Sequence, residues 1–276
     1  MKKLIGAFFL FSVLTSNAQE VVSETFDDTR VVNGHSVETN KKGSMKMIIS
    51  HRFGVMSEGL YDMFGLDASE VRIGFDYGIS DKITVGIGRS SEKTADGYLK
   101  VKVLTQKKSE GSPISLTWFS SIDNNFTRRA AGEEIDSKLR WSYVHQALIA
   151  RKFGEGFSLQ IMPTFLHRNL TPSRDFNNDI FSIGTAGRVR ITQMLSLKAE
   201  YYFTLPDQLP DNRTNSLAVG FDIETKHHVF QLHVGNSRGM TEKFFISETM
   251  GKWEDGDIML GFNITRDFQI AGRKYK

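Results

Sequence analysis

The chain has 276 residues, with 35 lysines and arginines against 32 aspartates and glutamates, and no cysteine. This near balance of charge excludes a dedicated nucleic-acid binder. The mean hydropathy is −0.29, and after the first residues no stretch approaches the roughly 20 apolar residues of a membrane-spanning helix, which excludes a helical membrane protein. With 21 phenylalanines and 24 glycines, the composition favours a β-rich protein over a disordered chain.

The first residues predict an export signal. Two lysines precede an apolar run from Leu4 to Leu14, and Ala18 supplies the small residue that signal cleavage requires. The run is too short to span a membrane as a helix. We therefore interpret residues 1–18 as a cleaved signal peptide, which predicts a protein exported from the cytoplasm.

From Ser44 onward, apolar and polar residues alternate in segments of about ten residues, which is the period of a β-strand. In the clearest segment, Val71, Ile73 and Phe75 share one face while Arg72 and Asp76 share the other. The pattern predicts twelve strands, over residues 44–54, 69–79, 82–91, 98–106, 113–121, 138–153, 157–168, 179–191, 195–205, 215–224, 228–236 and 256–267.

Long and short connections alternate between these segments, which is typical of an up-and-down transmembrane β-barrel. The even strand number predicts both termini on the periplasmic side and the long loops outside the cell. A secreted β-sandwich is the alternative, because it also alternates. Aromatic residues near the predicted strand ends, among them Trp118, Trp141 and Phe181, favour the barrel, since they resemble the aromatic girdles at membrane interfaces.

Four stretches of the sequence look familiar together: residues 29–38, 51–54, 59–67 and 86–90, which read TRVVNGHSVE, HRFG, GLYDMFGLD and GIGRS. They resemble an uncharacterised family of Bacteroidota outer-membrane β-barrel proteins, classified as a domain of unknown function. The resemblance spans nearly the whole mature chain. It implies a barrel, residues 44–276, in the outer membrane of a Gram-negative bacterium, and it carries over no catalytic residue.

Three connecting or terminal segments are open to more than one interpretation. Residues 19–43, predicted to be a periplasmic N-terminal segment, either fold up into the barrel mouth or form a flexible tail. The loop over residues 56–68 is too apolar for an ordinary exposed loop, so it folds back on the barrel or meets a partner. The loop over residues 237–255 offers Phe244, Phe245 and Trp253 for a ligand or partner, or packs on itself as a lid.

The inward faces of the predicted strands carry more basic than acidic side chains. The basic set is Lys46, Arg52, Arg72, Lys100, Lys102, Arg140, Lys152, Arg168, Arg188, Arg190 and Lys198, and the acidic set is Glu70, Asp76, Glu200, Asp222, Glu224 and Asp257. The excess predicts a lumen that attracts anions. The alternative is that the two sets pair across the lumen and fill it. A slip of one residue in any strand would reverse its contribution.

Three functions follow in order of preference. A porin-like channel for small, anionic solutes comes first, because the inward face is polar and such walls serve transport. A structural or interaction barrel, with a plugged lumen and outer loops that bind a protein partner, comes second. A barrel hydrolase is a distant third. Outer-membrane lipid is the expected surrounding of all three, and fold analogy supplies much of this order.

No enzyme, metal site or cofactor is predicted. Ser50 and His51 are neighbours on one strand and therefore point to opposite faces, as do Ser142 and His145. A serine nucleophile needs its base within about 2.6–3.2 Å, so only a pair formed across neighbouring strands would reveal a hydrolase. The histidines near residue 228 are too few for a metal site of defined geometry.

Overall fold

The computed structural model describes residues 20–22, 24–128, 135–225 and 228–271. Within these residues, twelve antiparallel strands follow one another along the chain. They are β1 (Ser44–Val55), β2 (Ser69–Ser80), β3 (Ile83–Ser90), β4 (Thr94–Leu104), β5 (Ser115–Asn125), β6 (Trp141–Phe153), β7 (Phe157–Arg168), β8 (Asp179–Arg190), β9 (Leu195–Thr204), β10 (Ser216–Glu224), β11 (His228–Gly235) and β12 (Met259–Gln269). The predicted signal peptide, residues 1–18, lies outside the described residues.

The sheet closes because β1 pairs with β12 as well as with β2, so the twelve described strands form a complete barrel without a free edge. This confirms the predicted fold class. Helical turns occupy Met56–Gly65 and Ser137–Arg140, and a short helix, α1 (Glu242–Ser247), lies between β11 and β12. No helix among the described residues is long and apolar enough to cross a membrane.

Side chains alternate between the outside and the inside of the barrel, as the period of two requires. In β2, Ile73, Phe75 and Tyr77 are exposed on the outside, whereas Arg72 and Asp76 are buried inside. The other strands repeat this arrangement and surround the barrel with exposed apolar side chains. Such a surface is stable against lipid, because the closed ladder leaves no strand backbone group without a partner.

The largest errors in the predicted strand bounds lie in one hairpin. β4 begins at Thr94 and not at residue 98, and β5 continues to Asn125 instead of ending at residue 121. The hydropathy pattern missed these ends because they contain Asp96 and Asp123, which read as loop residues. Both side chains point into the barrel, where polar residues extend a strand as well as apolar ones do.

Two residues predicted to line the lumen are not in strands. Arg140 lies in the helical turn before β6, and Asp257 lies in the loop before β12. Arg140 instead donates to the carbonyl oxygens of Asn125 and Thr127, 3.0 Å away in each case. The alternating pattern extended both strands too far, because a polar loop residue of the right parity cannot be distinguished from an inward strand residue.

The two ends of the barrel differ. We call one the turn end, because it carries the short connections 81–82, 154–156, 191–194 and 225–227 and the start of β1. The opposite, loop end carries most of the long connections. Two connections break the predicted alternation, since the loop end carries the short connection 91–93 and the turn end carries the long connection 105–114. Strand-like pairing joins Val21 to Lys107 at the turn end. The turn end is therefore where the N-terminal segment enters.

The loop over residues 56–68 does not fold back over the barrel. Leu60 and Tyr61 are 78% and 91% exposed, and Met63 and Phe64 adopt positive φ angles of 49° and 56°. Positive φ is unfavourable for bulky residues. The first interpretation of this loop, folding back on the barrel, is therefore wrong for these side chains. Lipid or a partner outside the described chain would be needed to cover them.

Candidate functional site

The lumen is occupied by residues 26–40, which we call the plug. It enters from the turn end, and a tight turn joins Val31 N–H to the Gly34 carbonyl oxygen over 2.8 Å, with Arg30 paired to His35. Phe26 and Val32 are 1% exposed. Of the two interpretations of this segment, the structure shows insertion into the barrel and not a tail.

The carboxylate of Glu200 holds the tip of the plug. It accepts hydrogen bonds from the backbone N–H groups of Val32, Asn33 and Gly34 at 3.0, 2.7 and 3.1 Å. Hydrogen bonds to an ionised acceptor are roughly twice as strong as neutral ones. Because Glu200 lies midway along β9, these bonds fix the tip at the middle of the barrel.

A glycine is required at this tip. A Cβ atom on Gly34 would lie 2.0 Å from the hydroxyl oxygen of Tyr202, which is itself fully buried. The turn therefore fits between Glu200 and Tyr202 only without a side chain at position 34. The Asn33–Gly34 pair, a common turn sequence, here also provides the close approach to the wall.

Uncharged side chains from four strands bind the plug backbone. Gln231 and Asn263 donate to the carbonyl oxygens of Val31 and Val32 at 2.6 and 2.9 Å. On the opposite part of the wall, Gln160 and Thr117 donate to the carbonyl oxygens of His35 and Val37 at 2.8 and 2.7 Å. These contacts satisfy plug backbone groups that would otherwise be buried without partners.

The acidic side chains of the plug pair with basic side chains of the wall. Asp27 accepts from Arg188 and from Arg190, the latter at 3.0 Å, and lies 3.9 Å from Lys198. Asp28 pairs with Lys46, Glu38 Oε2 lies 3.2 Å from Lys102, and Lys100 donates to the Glu38 carbonyl oxygen. The predicted basic excess of the lumen is thus offset by the plug.

Two more predicted lumen residues complete the plug contacts. Arg52 Nη2 donates to Asn33 Oδ1 over 2.7 Å, and the backbone carbonyl oxygen of Asp76 accepts from Asn40 Nδ2 over 3.1 Å. Nine of the twelve residues proposed to line the lumen therefore contact the plug: Lys46, Arg52, Asp76, Lys100, Lys102, Arg188, Arg190, Lys198 and Glu200.

The remaining predicted charges have partners elsewhere. Arg72 Nε donates to Asp96 Oδ1 over 2.9 Å along the inner wall, and Lys198 pairs with Asp222. Arg168 is fully buried near the loop end, where its Nη1 donates to Ser247 Oγ over 3.1 Å. The others lie nearer the rims: Lys152 with Glu155, Glu70 with Arg238, and Glu224 at the end of β10.

The loop that contains α1 closes the other mouth. Phe245 is buried with its ring centre 4.9 Å from that of Tyr202, and Glu242 Oε1 lies 4.0 Å from His35 Nε2 of the plug. Thr241 donates to Asp123 over 2.9 Å. The interpretation of residues 237–255 as a lid therefore holds for Phe245, and the lid and the plug meet inside the barrel.

The wall that faces this meeting point is apolar, although an inward face that is polar throughout was expected. Phe119, Leu148, Met162 and Leu166 point inward from β5, β6 and β7 and pack with the plug valines in one cluster. Between the described residues there is a cavity of about 200 Å³ at the loop end and one of about 10 Å³ beside the plug. Neither is a continuous aqueous path.

One serine and one histidine do meet across neighbouring strands. Ser120 Oγ lies 2.9 Å from His145 Nδ1 on the outer surface, and Trp118 Nε1 donates to the same hydroxyl over 2.9 Å. None of the hydrogen bonds among described residues reaches His145 Nε2, so no third group orients the imidazole as a catalytic base requires. Lipid offers no hydrogen bonds, so the side chains of Trp118, Ser120 and His145 hydrogen-bond with one another instead. No cluster of metal-ligating side chains occurs in the described part of the chain.

Sequence reasoning missed Thr94, Asp96 and Asp123, which it placed in loops, and the uncharged donors Gln160 and Gln231. The parity of Gln160 and Gln231 in their strands already pointed inward. Their role could not be recognised, because the carbonyl groups that they bind belong to a segment more than a hundred residues away.

We predict that Glu200→Gln loosens the plug. The native chain has no cysteine, so Val32→Cys introduces a single thiol at a buried position. In Val32→Cys alone a water-soluble maleimide should react slowly. Adding Glu200→Gln should raise the labelling rate about tenfold, because losing part of a charge-assisted bond set costs about 1–3 kcal/mol.

Two controls accompany this measurement. Ser109→Cys, in an exposed turn-end connection, should label rapidly in both backgrounds. Glu224→Gln removes another lumen carboxylate and should leave the protection of Val32→Cys intact. Equal protection with and without Glu200→Gln would show that Glu200 does not hold the plug.

The lid should respond to pH through Glu242. Burial raises the pKa of this carboxyl from 4.5 to about 7, although Arg30 acts in the opposite sense. A raised pKa means that the seated lid binds a proton more tightly than the released lid, so Glu242 favours seating at low pH and loses this contribution as pH rises through about 7. Amide hydrogen exchange of residues 237–255, corrected for intrinsic rates, should therefore accelerate between pH 5 and pH 8.

The variant Glu242→Gln isolates this contribution. Burial lowers the pKa of His35 well below 6.5, so that histidine opposes seating as pH falls and must be subtracted. The difference in pH response between the parent and Glu242→Gln measures the carboxyl alone. Glu254→Gln, in an exposed part of the same loop, should behave as the parent, and an identical pH response of Glu242→Gln would refute the assignment.

Known proteins with similar folds are outer-membrane barrels. An outer membrane channel from Pseudomonas putida superposes with a TM-score of 0.52 at 13% identity, covering 84% of this chain and 98% of that one. An outer membrane protein from Acinetobacter baumannii gives 0.44 at 7% identity, covering 82% and 99%, and the outer membrane phospholipase A of Escherichia coli gives 0.42 at 11%, covering 81% and 89%. At these identities the likeness concerns the fold alone.

No protein of curated function matches the sequence. A family model described as a membrane-bound beta barrel domain of unknown function (DUF5777) matches residues 26–268. This match includes the plug, all but the last residue of the barrel wall and the lid. The chain therefore belongs to this family of membrane-bound β-barrel domains.

Proposed function

We propose that the protein is an outer-membrane channel for small solutes, with a preference for anions, which its own plug closes at rest. The observation that carries this proposal is the division of charge between wall and plug. The wall supplies the basic side chains. The acidic side chains that they bind, Asp27 and Asp28, belong to the plug, which is joined covalently to the barrel only at the turn end.

A barrel built to be solid is filled by its own wall side chains. Here the wall leaves space that a separate segment occupies, and beside one apolar cluster the wall presents charged and polar groups to that segment. When the plug leaves, water can replace each lost hydrogen bond. The strand-borne charges that face inward are then ten basic and eight acidic, once Arg140 and Asp257 are removed from the predicted set and Asp96, Asp123 and Asp267 are added. An excess of basic groups attracts anions.

The location follows from the same pattern. Strands with apolar outer faces, short connections at one end and long loops at the other are typical of outer-membrane barrels, whose termini lie in the periplasm. We therefore place the turn end, and both termini, on the periplasmic side of a Gram-negative outer membrane. Membership of the Bacteroidota remains a prediction from the resemblance of the sequence.

An interaction barrel is the second candidate. It is favoured by one observation, the exposure of Leu60 and Tyr61 in a loop-end connection, since apolar side chains in such a position fit a partner. In that case the plug would be a permanent part of the core. An enzymatic role is not part of either proposal, because the Ser120 and His145 pair has no orienting group, and lipid hydrolysis that depends on Ser120 would contradict this exclusion.

The test is conductance in a planar bilayer under a salt gradient. The full chain should be silent most of the time, and Gly34→Ala should open at least tenfold more often, because its Cβ atom cannot fit beside Tyr202. Deletion of residues 26–40 should conduct with an anion-biased reversal potential. Gly156→Ala, where a Cβ atom meets nothing within 4 Å, is the matched control.

Each sample should first be shown to be folded by its heat-modifiable migration on a gel. Silence of both folded plug variants would refute the channel and favour the interaction barrel. Conductance with a cation-biased reversal potential would keep the channel and refute its anion preference.

A further inference from the structure

The cavity of about 200 Å³ at the loop end has no plug residue in its lining. It lies between the ends of β4 and β5, the helical turn Ser137–Arg140 and the start of α1. At roughly 30 Å³ for each water it could hold about six waters or one small organic molecule. Its lining combines buried polar groups on one side with apolar side chains on the other.

Two buried polar atoms on the floor of this cavity have no partner among the described residues. Asp123 is 2% exposed, and although its Oδ1 accepts from Thr241 over 2.9 Å, its Oδ2 accepts nothing. Thr94 is also 2% exposed, and its hydroxyl is likewise unsatisfied. A buried group without a partner costs about 1–3 kcal/mol. A ligand that presents hydrogen-bond donors to Asp123 and Thr94 would remove this cost.

The floor therefore selects a donor, and the charge on Asp123 favours a cationic one. An ammonium group meets both requirements, since it carries three donors and a positive charge. Hydroxyl groups could donate as well, but they would leave the carboxylate charge without a counter-charge.

A basic group lies elsewhere on the lining. Arg140 Nη1 donates hydrogen bonds to two carbonyl oxygens, each 3.0 Å away. Its guanidinium forms no ion pair with the acidic residues that the structure describes. Lys243 also lines the cavity, but it is paired with Glu248 at 2.6 Å. The planar, forked donors of a guanidinium match the geometry of a carboxylate.

The rest of the lining is apolar. Leu139 and Leu170 are 38% and 37% exposed at the entrance, and Ile135 lies beside them. Loops at the ends of barrels commonly carry such ligand-binding residues. A ligand that covers the two leucines would gain about 25 cal/mol for each Å² of apolar surface removed from water.

We propose that this cavity binds a small α-amino acid with an apolar side chain, its ammonium group on Asp123 and Thr94, its carboxylate at Arg140 and its side chain against Leu139 and Leu170. L-leucine, with about nine non-hydrogen atoms, matches the volume. The proposal does not rest on conduction, since a barrel that stays closed presents the same cavity to the outside.

The experiment is isothermal titration calorimetry of L-leucine into the full chain in detergent. We expect saturable binding of one molecule per chain, weakened at least tenfold by Asp123→Asn and several-fold by Thr94→Val, which preserves the shape of the side chain. Asp175→Asn, an exposed aspartate in the loop between β7 and β8, should bind as the parent does. If Asp123→Asn does not fold, Arg140→Gln provides an independent weakening.

Two fragments of the ligand test the assignment of its ends. 3-Methylbutylamine lacks the carboxylate, so the parent should bind it at least tenfold more weakly than it binds L-leucine. Arg140→Gln should bind this amine as tightly as the parent does. 4-Methylpentanoate lacks the ammonium group that Asp123 would bind. The parent and Asp123→Asn should therefore bind it with the same weak affinity. Absence of L-leucine binding to the folded parent, or binding unaffected by both variants, would overturn the proposal. L-leucine binding to the parent, found together with silence of both folded plug variants, would support this site while refuting the channel.

Discussion

The three hydrogen bonds from the plug tip to Glu200 are the interaction on which the rest of the interior depends. A closed barrel uses the backbone groups of its strands in the ladder between them, so a carboxylate in the lumen cannot be satisfied by the backbone of the wall. The tight turn at Asn33 and Gly34 supplies that missing backbone. Once the tip is fixed, the positions of the plug valines and of Asp27 and Asp28 follow from chain connectivity.

In the channel that we propose, the balance of charge allows the plug to be both well fitted and releasable. Burying an ion pair involves a desolvation cost that roughly offsets its attraction, so the many charged contacts between plug and wall specify the position of the plug more than they stabilise it. When the plug leaves, the charges of the wall return to water. The apolar contacts of Phe26 and the valines, which water cannot replace, are the part of the interface that favours the closed state.

The lumen is filled from both mouths, and the two inserted segments touch. His35 of the plug lies between the rings of Tyr98 and Phe119 and faces Glu242 of the lid, while Tyr202 contacts both Phe245 and the tip of the plug. A change in either segment therefore alters the surroundings of the other. The floor of the loop-end cavity belongs to the same region, because Asp123 is held by Thr241 at the start of the lid.

The sequence by itself determined the number of strands, their inward and outward faces and the closed antiparallel barrel, because a period of two is a local property that survives whatever lies inside. It also indicated many of the charged residues that face inward, but it included Arg140 and Asp257, whose parity suited strands that begin only after them. It left open whether residues 19–43 are a plug or a tail, and it missed Asp96 and Asp123. Only the tertiary structure decided these points, since the partners of the plug include wall residues 200 and 231 positions away, and a polar strand end is distinguished from a loop only by what it faces.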